Sequence, residues 1–358
     1  MSTASTRLAR LRRLARRRAN ITLITHLPNL LYLVGFRGSS GALAVTSRAA
    51  VLFTDGRYRL QARREVVGAQ VKVTPQEPLR AAALWLRRVH PARVAYEGHR
   101  LTLEQFEQLR ALLGAGVELV PGKHWVEKLR AVKDEAEIAR IRTAVELAAR
   151  VLDEVLPYVR PGVRELDLAA EIEYRMKRHG ARAPAFDTIV ASGPRAALPH
   201  GRASAKRLAK NEFVTFDLGA ILADYCSDLT RTVYLGTASA RVKRVYRAVQ
   251  DALERARDAV RAGVPAARVD AAARGCLARR GLGRYFVHGT GHGVGLEIHE
   301  EPRVGRKVST RLAPGNVITL EPGVYLPGWG GVRIEDVVVV RRRGAELLTP
   351  LSPELLCL

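Results

Sequence analysis

One short stretch of the sequence combines residue types that could do chemistry. The segment VHGTGHGVGLEIHEEP, residues 287–302, places His288, His292 and His299 among four glycines at alternate positions. Each interior glycine would destabilise a helix by about 1 kcal/mol relative to alanine, so the pattern predicts extended or looping backbone. The pattern argues against the helix of HExxH zinc proteases, in which two histidines four residues apart bind the metal. Because glycine lets a ligand approach the backbone closely, the segment is predicted to line a site.

Two aspartates are the first candidates to face these histidines. The segment FVTFDLGAILADYCSDLTRTVYL has the pattern of two strands joined by a tight turn. A register with Leu222 and Ala223 as the turn sets Asp217 directly across from Asp228. Ionised carboxylates about 5 Å apart repel each other, so this hairpin would require a cation between them. The alternative is a pair of exposed aspartates beside a turn.

Two glutamates complete the set of candidate ligands. Glu321 in TLEPGVY follows an apolar strand, and Glu335 in GVRIEDVVVV opens a strand of valines; either could be merely structural on its own. With the two aspartates and His292 they form an oxygen-rich set, which suits Mn or Co better than a structural zinc site. Two divalent ions would neutralise the four carboxylates. The sequence therefore predicts a dinuclear centre that polarises a carbonyl and generates hydroxide at neutral pH.

The first third of the chain must position or cover such a centre. It begins with a basic segment that has the composition of an organellar transit peptide. However, Leu8, Leu11 and Leu14 recur on one helical face and lead directly into apolar ITLIT, which predicts a first helix packed on a strand. The strand-like segments GALAVTS, AAVLFTD and ARVAYEG follow, with helices expected near residues 77–89 and 102–114. This alternation predicts an α/β domain.

Pro121 and Gly122 interrupt the pattern before a long amphipathic helix, and they place a domain boundary near residue 122. The predicted domains are residues 1–122 and 123–358. The second domain carries a faint repeat, in which VRPGVRELDLAAEIEYRMKRHG from residue 159 aligns without gaps on VRAGVPAARVDAAARGCLARRG from residue 260. Each copy precedes strands that carry the polar residues of interest. A pseudo-symmetric domain with a central cleft would follow.

Charge and cysteine content narrow the class of protein. The 59 Lys and Arg residues against 35 Asp and Glu give a net charge of +24, which would attract nucleic acid or anionic surfaces. The positive charge is dispersed and no RNA-binding motif accompanies it, so nucleic-acid binding is not expected. No apolar run approaches the roughly 20 residues that span a bilayer. Cys226, Cys276 and Cys357 have no CxxC spacing, which favours a reducing cytoplasm over a disulfide framework.

Taken together, these segments resemble the Xaa-Pro peptidases (aminopeptidase P and prolidase) of the pita-bread metallopeptidases. NLLYLVGFRGSSGALAV and LFTDGRY are similar to the family's amino-terminal domain, and LRAVKDEAEI is similar to its interdomain segment. IVASGPRAALPHG, FDLGA, YCSDLTRTV, GHGVGLEIHE, EPGVY and GVRIED are similar to its catalytic motifs, in the family's order. The resemblance covers nearly the whole chain. It implies a creatinase-like α/β N-terminal domain and an α+β pita-bread catalytic domain with an internal pseudo-twofold repeat.

The resemblance also implies roles for the candidate ligands. Asp217 is expected to chelate one metal ion through both oxygens. Asp228 and Glu335 are expected to bridge two ions, while His292 and Glu321 complete the second one. Glu321 would also carry a proton to the leaving imine nitrogen.

Further site residues follow from the same resemblance. His200 and His299 are expected to contact the substrate proline and to steady the tetrahedral intermediate, with His288 as a supporting catalytic histidine. Tyr325 and Arg333 are expected to orient the ligands and the substrate. Leu218 and Leu229 depart from the family's usual residues without altering a ligand.

The subclass depends on what binds the far end of the substrate. A dipeptidase needs a cation beyond the proline, ideally an arginine, and Arg37 in GFRGSSG is the candidate, on a loop that its glycines would make mobile. One more surface arginine is the alternative. The short PHG motif around His200 resembles bacterial aminopeptidases P more than prolidases. An enzyme that accepts Xaa-Pro-Yaa peptides as well as dipeptides is therefore slightly favoured.

The expected protein is a cytoplasmic homodimeric hydrolase that cuts the Xaa-Pro bond at peptide N-termini, in Xaa-Pro dipeptides, or in both. It would bind a proline-containing peptide and two divalent ions per chain, with Mn expected and Co or Zn as alternatives. The main alternative is a catalytically inactive pita-bread fold whose positive charge binds RNA or ribosomes, which the intact ligand set opposes. Methionine aminopeptidase, which generally lacks the first domain, and creatinase, which lacks the metal ligands, agree less well with the sequence.

Overall fold

The computed structural model describes residues 3–358, and the chain divides into two compact units, Met1–Arg130 and Ala131–Leu358. The division follows a short helix, Trp125–Arg130, rather than residue 122. Val126 on this helix is buried, and Arg130 Nη1 donates a hydrogen bond of 2.8 Å to Asn29 Oδ1. The helix therefore belongs to the first unit, although the Pro-Gly break in the sequence precedes it.

The first unit is a mixed sheet with helices, as the alternating pattern predicted. Its helices are α1 (Thr3–Ala15), α2 (Leu27–Val34), α3 (Arg59–Glu65), α4 (Pro78–Val89), α5 (Leu103–Leu113) and α6 (Trp125–Arg130). Its strands are β1 (Ile21–Ile24), β2 (Ala42–Thr46), β3 (Ala50–Thr54), β4 (Gln70–Val73), β5 (Arg93–Tyr96) and β6 (Glu118–Pro121). They lie in the order β4-β3-β2-β1-β5-β6, and β2 runs antiparallel to both of its neighbours, β1 and β3.

The first helix packs on the sheet, but with a narrower apolar face than the leucine spacing suggested. Leu8 and Leu11 are buried, whereas Leu14 is 43% exposed and Ala15 takes its place at the interface. Arg12 Nε donates a hydrogen bond of 2.8 Å to a carbonyl at the end of β2, which ties the polar side of α1 to the same sheet. Among the described residues, no helix has the length and apolar character needed to cross a membrane.

The second unit combines paired helices with short antiparallel sheets. Its helices are α7 (Glu135–Val155), α8 (Glu165–Arg178), α9 (Ala240–Ala259) and α10 (Ala266–Arg279). Its strands are β7 (Ala183–Pro184), β8 (Ile189–Ser192), β9 (Glu212–Leu218), β10 (Ala220–Leu222), β11 (Tyr225–Cys226), β12 (Leu229–Leu235), β13 (Gly291–Gly293), β14 (Glu300–Val304), β15 (Val317–Leu320), β16 (Gly323–Leu326), β17 (Gly330–Arg333), β18 (Asp336–Val340) and β19 (Ala345–Leu347). The sheets are ordered β12-β9-β8, β11-β10-β7, β14-β13-β15-β18-β19 and β16-β17.

The predicted repeat is present in this unit. Helices α8 and α10 occupy the aligned segments, and the turn before each one is built in the same way. Gly162 N donates to Leu208 O at 2.8 Å, and Gly263 N donates to Leu312 O at 2.8 Å. Both glycines have left-handed φ values, 90° and 85°, which glycine adopts without steric cost. The two halves therefore share a local construction as well as a sequence pattern.

Each half has its own core, in which two helices cover one antiparallel strand pair. In the first half, Val151 of α7 and Ile172 of α8 pack in one cluster with Phe216 of β9. In the second half, residues of α9 and α10 pack with Ile318 of β15 and Val338 of β18. Burying each such side chain stabilises the fold by roughly 1.5 to 3 kcal/mol. The strands are thereby fixed from one face, and their ends are free to present polar side chains.

The register of the first strand pair differs from the one expected. Strand β9 pairs with β12 so that Asp217 lies across from Thr230, not from Asp228. The turn falls at Ala223 and Asp224, whose φ values are 48° and 73°. Two consecutive left-handed residues form the turn that matches the twist of a hairpin, and aspartate tolerates this conformation better than most residues. Asp228 precedes β12 and lies outside the paired positions.

Candidate metal centre

The strand pairs β9–β12 and β15–β18 each carry two of the four carboxylates, at equivalent positions. Asp217 lies near the end of β9 and Asp228 immediately before β12, the strand with which β9 pairs. Glu321 follows β15, and Glu335 immediately precedes β18, its partner. Each half therefore contributes one acid at the end of its first strand and one at the start of its second. This is the structural basis of the acidic cluster that the sequence predicted.

Three of these acids lie close enough to share an ion. One carboxylate oxygen from each of Asp217, Asp228 and Glu335 lies within 4.8 Å of the other two. Asp228 and Glu335 are buried, and Glu335 Oε2 accepts a hydrogen bond of 2.8 Å from Thr230 Oγ1. The other oxygen, Glu335 Oε1, is buried with no hydrogen-bond partner among residues 3–358. A buried carboxylate oxygen without a donor is costly unless a cation binds it.

His292 on β13 directs one nitrogen at the same acids. Its Nδ1 lies 3.0 Å from Gly293 O, to which it donates, so the lone pair is on Nε2. Nε2 is 3.4 Å from Asp228 Oδ2 and 3.5 Å from Glu321 Oε1. Burial lowers the pKa of His292 to about 4, so the ring is neutral at neutral pH. A neutral imidazole with its second nitrogen held by a carbonyl has the form that binds metals.

Within the acidic cluster, burial and mutual repulsion destabilise the ionised form of the carboxyl groups. Burial, reinforced by neighbouring carboxylates, raises the pKa of Asp228 and of Glu335 well above their ordinary values. Burial raises the pKa of Glu321 to about 7, and the charge of Asp217 acts in the same direction. Divalent cations would relieve both the repulsion and the lost hydration. The donor set therefore suits divalent metal ions.

Arg333 on β17 holds the acidic cluster in position through hydrogen bonds. This buried side chain donates from Nη2 to Asp217 Oδ2 at 2.6 Å and from Nε to Thr230 Oγ1 at 3.2 Å. Its Nη1 donates to Tyr325 Oη at 2.8 Å and to Pro199 O at 3.0 Å. The guanidinium of Arg333 thus orients Asp217, a candidate ligand. It also holds the loop that contains Pro199 and the residue after it, His200.

The hydrogen-bond chain continues from Tyr325 to His288. Tyr325 Oη lies 2.8 Å from His288 Nε2, and His288 Nδ1 lies 2.7 Å from Gly289 O. Burial lowers the pKa of His288 to about 4, so the neutral ring donates from Nδ1 and accepts from the tyrosine hydroxyl. Both nitrogens are therefore occupied within the protein, which makes His288 a support for the site more than a contact for a ligand.

His200 and His299 are the exposed histidines of this region. The ring of His299 packs edge-on against His292, with centroids 4.4 Å apart. Burial lowers the pKa of both His288 and His299. Pro199, the residue before His200, accepts a hydrogen bond from Arg333, which places His200 near this group. Both rings are exposed, and their contact with a substrate stays a prediction.

Arg37, predicted to bind substrate, lies in the first unit and is 46% exposed. Its backbone N donates to Glu65 Oε2 at 2.9 Å, and its Nη1 is 3.8 Å from Glu65 Oε1. The neighbouring glycines, expected to make the loop mobile, each have a packing role. Gly35 ends α2 with a left-handed φ of 80°, and a side chain at Gly38 would collide with the buried ring of Phe36.

A network on α10 that supports the histidine segment was missed in the sequence. Asp270 is buried and holds Arg274 through Oδ2 to Nε at 3.0 Å and Oδ1 to Nη2 at 2.8 Å. Arg274 then donates from Nη1 to Phe286 O at 2.8 Å and from Nη2 to His288 O at 2.7 Å. The spacing of Asp270 and Arg274, an acid and a base four residues apart on a helix, was the only signal in the sequence.

The same aspartate reaches the second strand pair. Asp270 Oδ1 accepts a hydrogen bond of 2.9 Å from Thr290 Oγ1. Thr290 O in turn accepts the backbone N–H of Glu321 at 2.7 Å. Asp270 and Arg274 therefore set the positions of both the histidine segment and one of the four acids.

Comparison with known proteins identifies the family. Residues 139–342 match the family described as metallopeptidase family M24, which is more than half of the chain. The chain belongs to metallopeptidase family M24. Residues 7–132 match the creatinase/prolidase N-terminal domain, so both units of this M24 protein have a counterpart. The expected fold, a creatinase-like domain followed by a pita-bread catalytic domain, is confirmed.

Individual relatives agree with this assignment. An Xaa-Pro dipeptidase from Bacillus anthracis has a structure with a TM-score of 0.96 and 36% identity, covering 99% of this chain and 100% of that one. An X-Pro aminopeptidase from Thermotoga maritima MSB8 has a TM-score of 0.89 and 35% identity, covering 97% and 100%. An Xaa-Pro dipeptidase of Pyrococcus furiosus is 46% identical over 231 residues, which is 64% of this chain and 66% of that protein. None of these similarities supports the inactive RNA-binding alternative.

Proposed function

We propose that this peptidase hydrolyses the bond between an N-terminal residue and proline. The observation that carries the proposal is the buried cluster of Asp217, Asp228 and Glu335, with His292 Nε2 directed at it, in an M24 chain. The names of its relatives, Xaa-Pro dipeptidase and X-Pro aminopeptidase, support proline as the residue after the cut.

Five residues would hold the metal: Asp217, Asp228, His292, Glu321 and Glu335. They fit two divalent ions because Glu335 Oε1 lacks a donor within the described chain and because four carboxylates balance two doubly charged cations. We propose Mn²⁺ as the ion, since oxygen ligands outnumber nitrogen. When bound, the ions supply Lewis acidity that polarises the scissile carbonyl and acidifies water.

The residues of the chain divide the remaining work. Glu321 Oε1 lies 3.5 Å from His292 Nε2, at the edge of the acidic cluster, where its carboxylate would accept a proton during attack and return it to the leaving proline nitrogen. His200 and His299, the exposed imidazoles, would donate hydrogen bonds to the oxygen that gains negative charge. Arg333, Tyr325 and His288 hold the orientation of these groups through their continuous hydrogen bonds.

The test is hydrolysis of matched peptides. Protein treated with a chelator and then supplied with Mn²⁺ should cleave Xaa-Pro substrates and leave the Xaa-Ala counterparts intact. Glu321→Gln should abolish cleavage, although the other residues of the site are unchanged. Equal hydrolysis of the Pro and Ala peptides would refute proline specificity, and full activity in chelator would refute metal dependence.

The length of the substrate is a separate proposal. The names of two relatives favour Xaa-Pro dipeptides, whereas the PHG motif favours longer peptides. The same hydrolytic site could cleave both kinds of substrate. The decisive comparison is Xaa-Pro, its C-terminal amide and Xaa-Pro-Yaa, with wild type, Arg37→Ala and the exposed control Arg48→Ala. If Arg37 binds a substrate carboxylate, only Arg37→Ala raises KM, and only for the free dipeptide.

The cytoplasmic location and the homodimer stay predictions. The three cysteines are free, which is consistent with a reducing compartment. Light scattering on the purified chain measures the mass directly, and a monomeric mass would contradict the dimer.

A further inference from the structure

A second group of metal-binding side chains lies in the first unit. His99, His124 and Glu127 each offer one ligand-type atom, and these atoms all lie within 4.8 Å of one another. His99 is in the turn that follows β5, His124 immediately precedes α6, and Glu127 is in the first turn of α6. The group therefore joins two segments that are adjacent only in the folded chain.

The two histidines face each other at an exposed position. Their ring centroids are 3.8 Å apart at an interplanar angle of 33°, and His99 Nε2 is 3.0 Å from Glu127 Oε1. His124 has a left-handed φ of 51°, which a residue other than glycine rarely adopts. Binding one ion through both rings requires the stack to open by side-chain rotation, which the exposure of both residues permits.

Glu127 is the fixed member of the group. Its side chain is 12% exposed, and Oε1 accepts a hydrogen bond of 2.9 Å from Asn29 Nδ2. Asn29 is itself buried and held by Glu97 at 2.6 Å and Arg130 at 2.8 Å. Although burial opposes it, the hydrogen bonds from Asn29 and His99 hold the pKa of Glu127 below its ordinary value, so the group is a carboxylate at neutral pH.

One oxygen of this carboxylate is left without a donor. Glu127 Oε2 is buried and has no hydrogen-bond partner in the part of the chain that the structure describes. A simple surface pair between an imidazole and a carboxylate would account for the contact of His99 with Oε1, but it would not account for the second imidazole or for the unpaired oxygen. A cation that binds all three side chains accounts for both.

The donor types select the class of ion. Two imidazole nitrogens and one carboxylate suit Zn²⁺, Ni²⁺ and Cu²⁺, whereas Mg²⁺, Ca²⁺ and Mn²⁺ prefer sites richer in oxygen. Arg100 Nε lies 3.8 Å from Glu127 Oε1, and its positive charge opposes any cation at this carboxylate, so the affinity must come mainly from the two imidazole nitrogens. We propose that His99, His124 and Glu127 form a site for one Zn²⁺-type ion, with water completing its coordination. The bound ion would tie the turn after β5 to the start of α6.

The test counts zinc in matched variants. His124→Asn keeps a side chain that tolerates a left-handed φ, and His99→Gln keeps a polar side chain of similar reach. The control is His90→Asn, because His90 is an exposed histidine of the same unit with a φ of 46°. Full-length proteins are dialysed against Zn²⁺, and bound zinc is measured per chain. Wild type and the control should bind one Zn²⁺ more than the double variant.

Two further measurements keep the result interpretable. Bound Mn²⁺ should be the same in all three proteins, because the catalytic cluster is unchanged. In protein with Cu²⁺, electron paramagnetic resonance should show a second set of nitrogen couplings, besides any from His292, and the double variant should lack this second set. If the double variant does not fold, as judged by circular dichroism, His124→Asn alone should weaken this zinc site about tenfold or more. Equal zinc content in wild type and variants would overturn the proposal. If the double variant loses as much Mn²⁺ as Zn²⁺, the assignment of the site to Zn²⁺-type ions is wrong.

Discussion

Replacing Glu321 by glutamine should stabilise the metal-free protein while abolishing its activity. In the metal-free fold, burial raises the pKa of Glu321 from its ordinary 4.5 to about 7, and the charge of Asp217 adds to the effect. Between those two pH values the folded protein holds a proton that the unfolded chain has lost. The free energy of unfolding therefore decreases as pH rises through this window, and the contribution that is present below pH 4.5 is lost above pH 7.

The size of the effect follows from the same interval. About 2.5 pH units at 1.36 kcal/mol each correspond to about 3 kcal/mol. Glutamine has nearly the same shape, can keep the contact with Thr319 Oγ1, and does not ionise. In chelator, Glu321→Gln should therefore exceed wild type in free energy of unfolding by about 3 kcal/mol at pH 8, and by little at pH 5.

Urea unfolding at both pH values, followed by circular dichroism, measures the difference. Glu354→Gln is a suitable control, because Glu354 is an exposed glutamate of the same unit and should show no pH-dependent difference. Addition of Mn²⁺ at pH 8 should reverse the order, since wild type gains more from the ions. The reasoning is wrong if Glu321→Gln is less stable than wild type in chelator at pH 8, or if the difference is the same at both pH values.

Three further substitutions separate the roles of the site residues. Asp228→Asn should lower both Mn²⁺ content and rate, and a reconstituted wild type without bound Mn²⁺ would contradict this. His200→Ala should keep its metal but lose roughly 2.7 to 4 kcal/mol of transition-state stabilisation, measured as kcat/KM; loss of metal would exclude the substrate role. Arg274→Lys cannot hold Asp270 and two carbonyls together, so kcat should fall about 10- to 100-fold with KM little changed. An unchanged kcat would show that α10 does not position the site.

The four acids could be proposed as ligands from the sequence because each lies near the end of a strand or just before one begins, where neighbours along the chain define its setting. The hairpin register was not predictable, since a turn one residue earlier gave an equally good alternation of apolar residues. Ala223 and Asp224 form the turn because Asp224 tolerates a left-handed backbone, a preference weaker than the apolar pattern. The error did not affect the acids, because Asp228 lies outside the paired positions.

Groups that support the site were beyond sequence reasoning for another reason. Thr230 donates to Glu335 more than 100 residues away, and Arg274 binds carbonyl groups, which carry no sequence signal. The repeat was recognisable because α8 and α10 keep the same helix and turn pattern. The first compact unit extends beyond the Pro-Gly break because α6 packs into it through tertiary contacts, which the sequence does not reveal.

The backbone repeat and the side chains of the centre do not have the same symmetry. The first half contributes two aspartates, one of them bound to Arg333. The second half contributes two glutamates, whose side chains are one methylene longer, and the imidazole of His292. If Asp228 and Glu335 bridge two ions, as the family resemblance implies, one ion would have Asp217, which Arg333 partly neutralises, as its own ligand, and the other would have Glu321 and the nitrogen of His292. The two halves are thus inequivalent in their ligands, and the affinities of the two metal positions are expected to differ although the chain path around them is repeated.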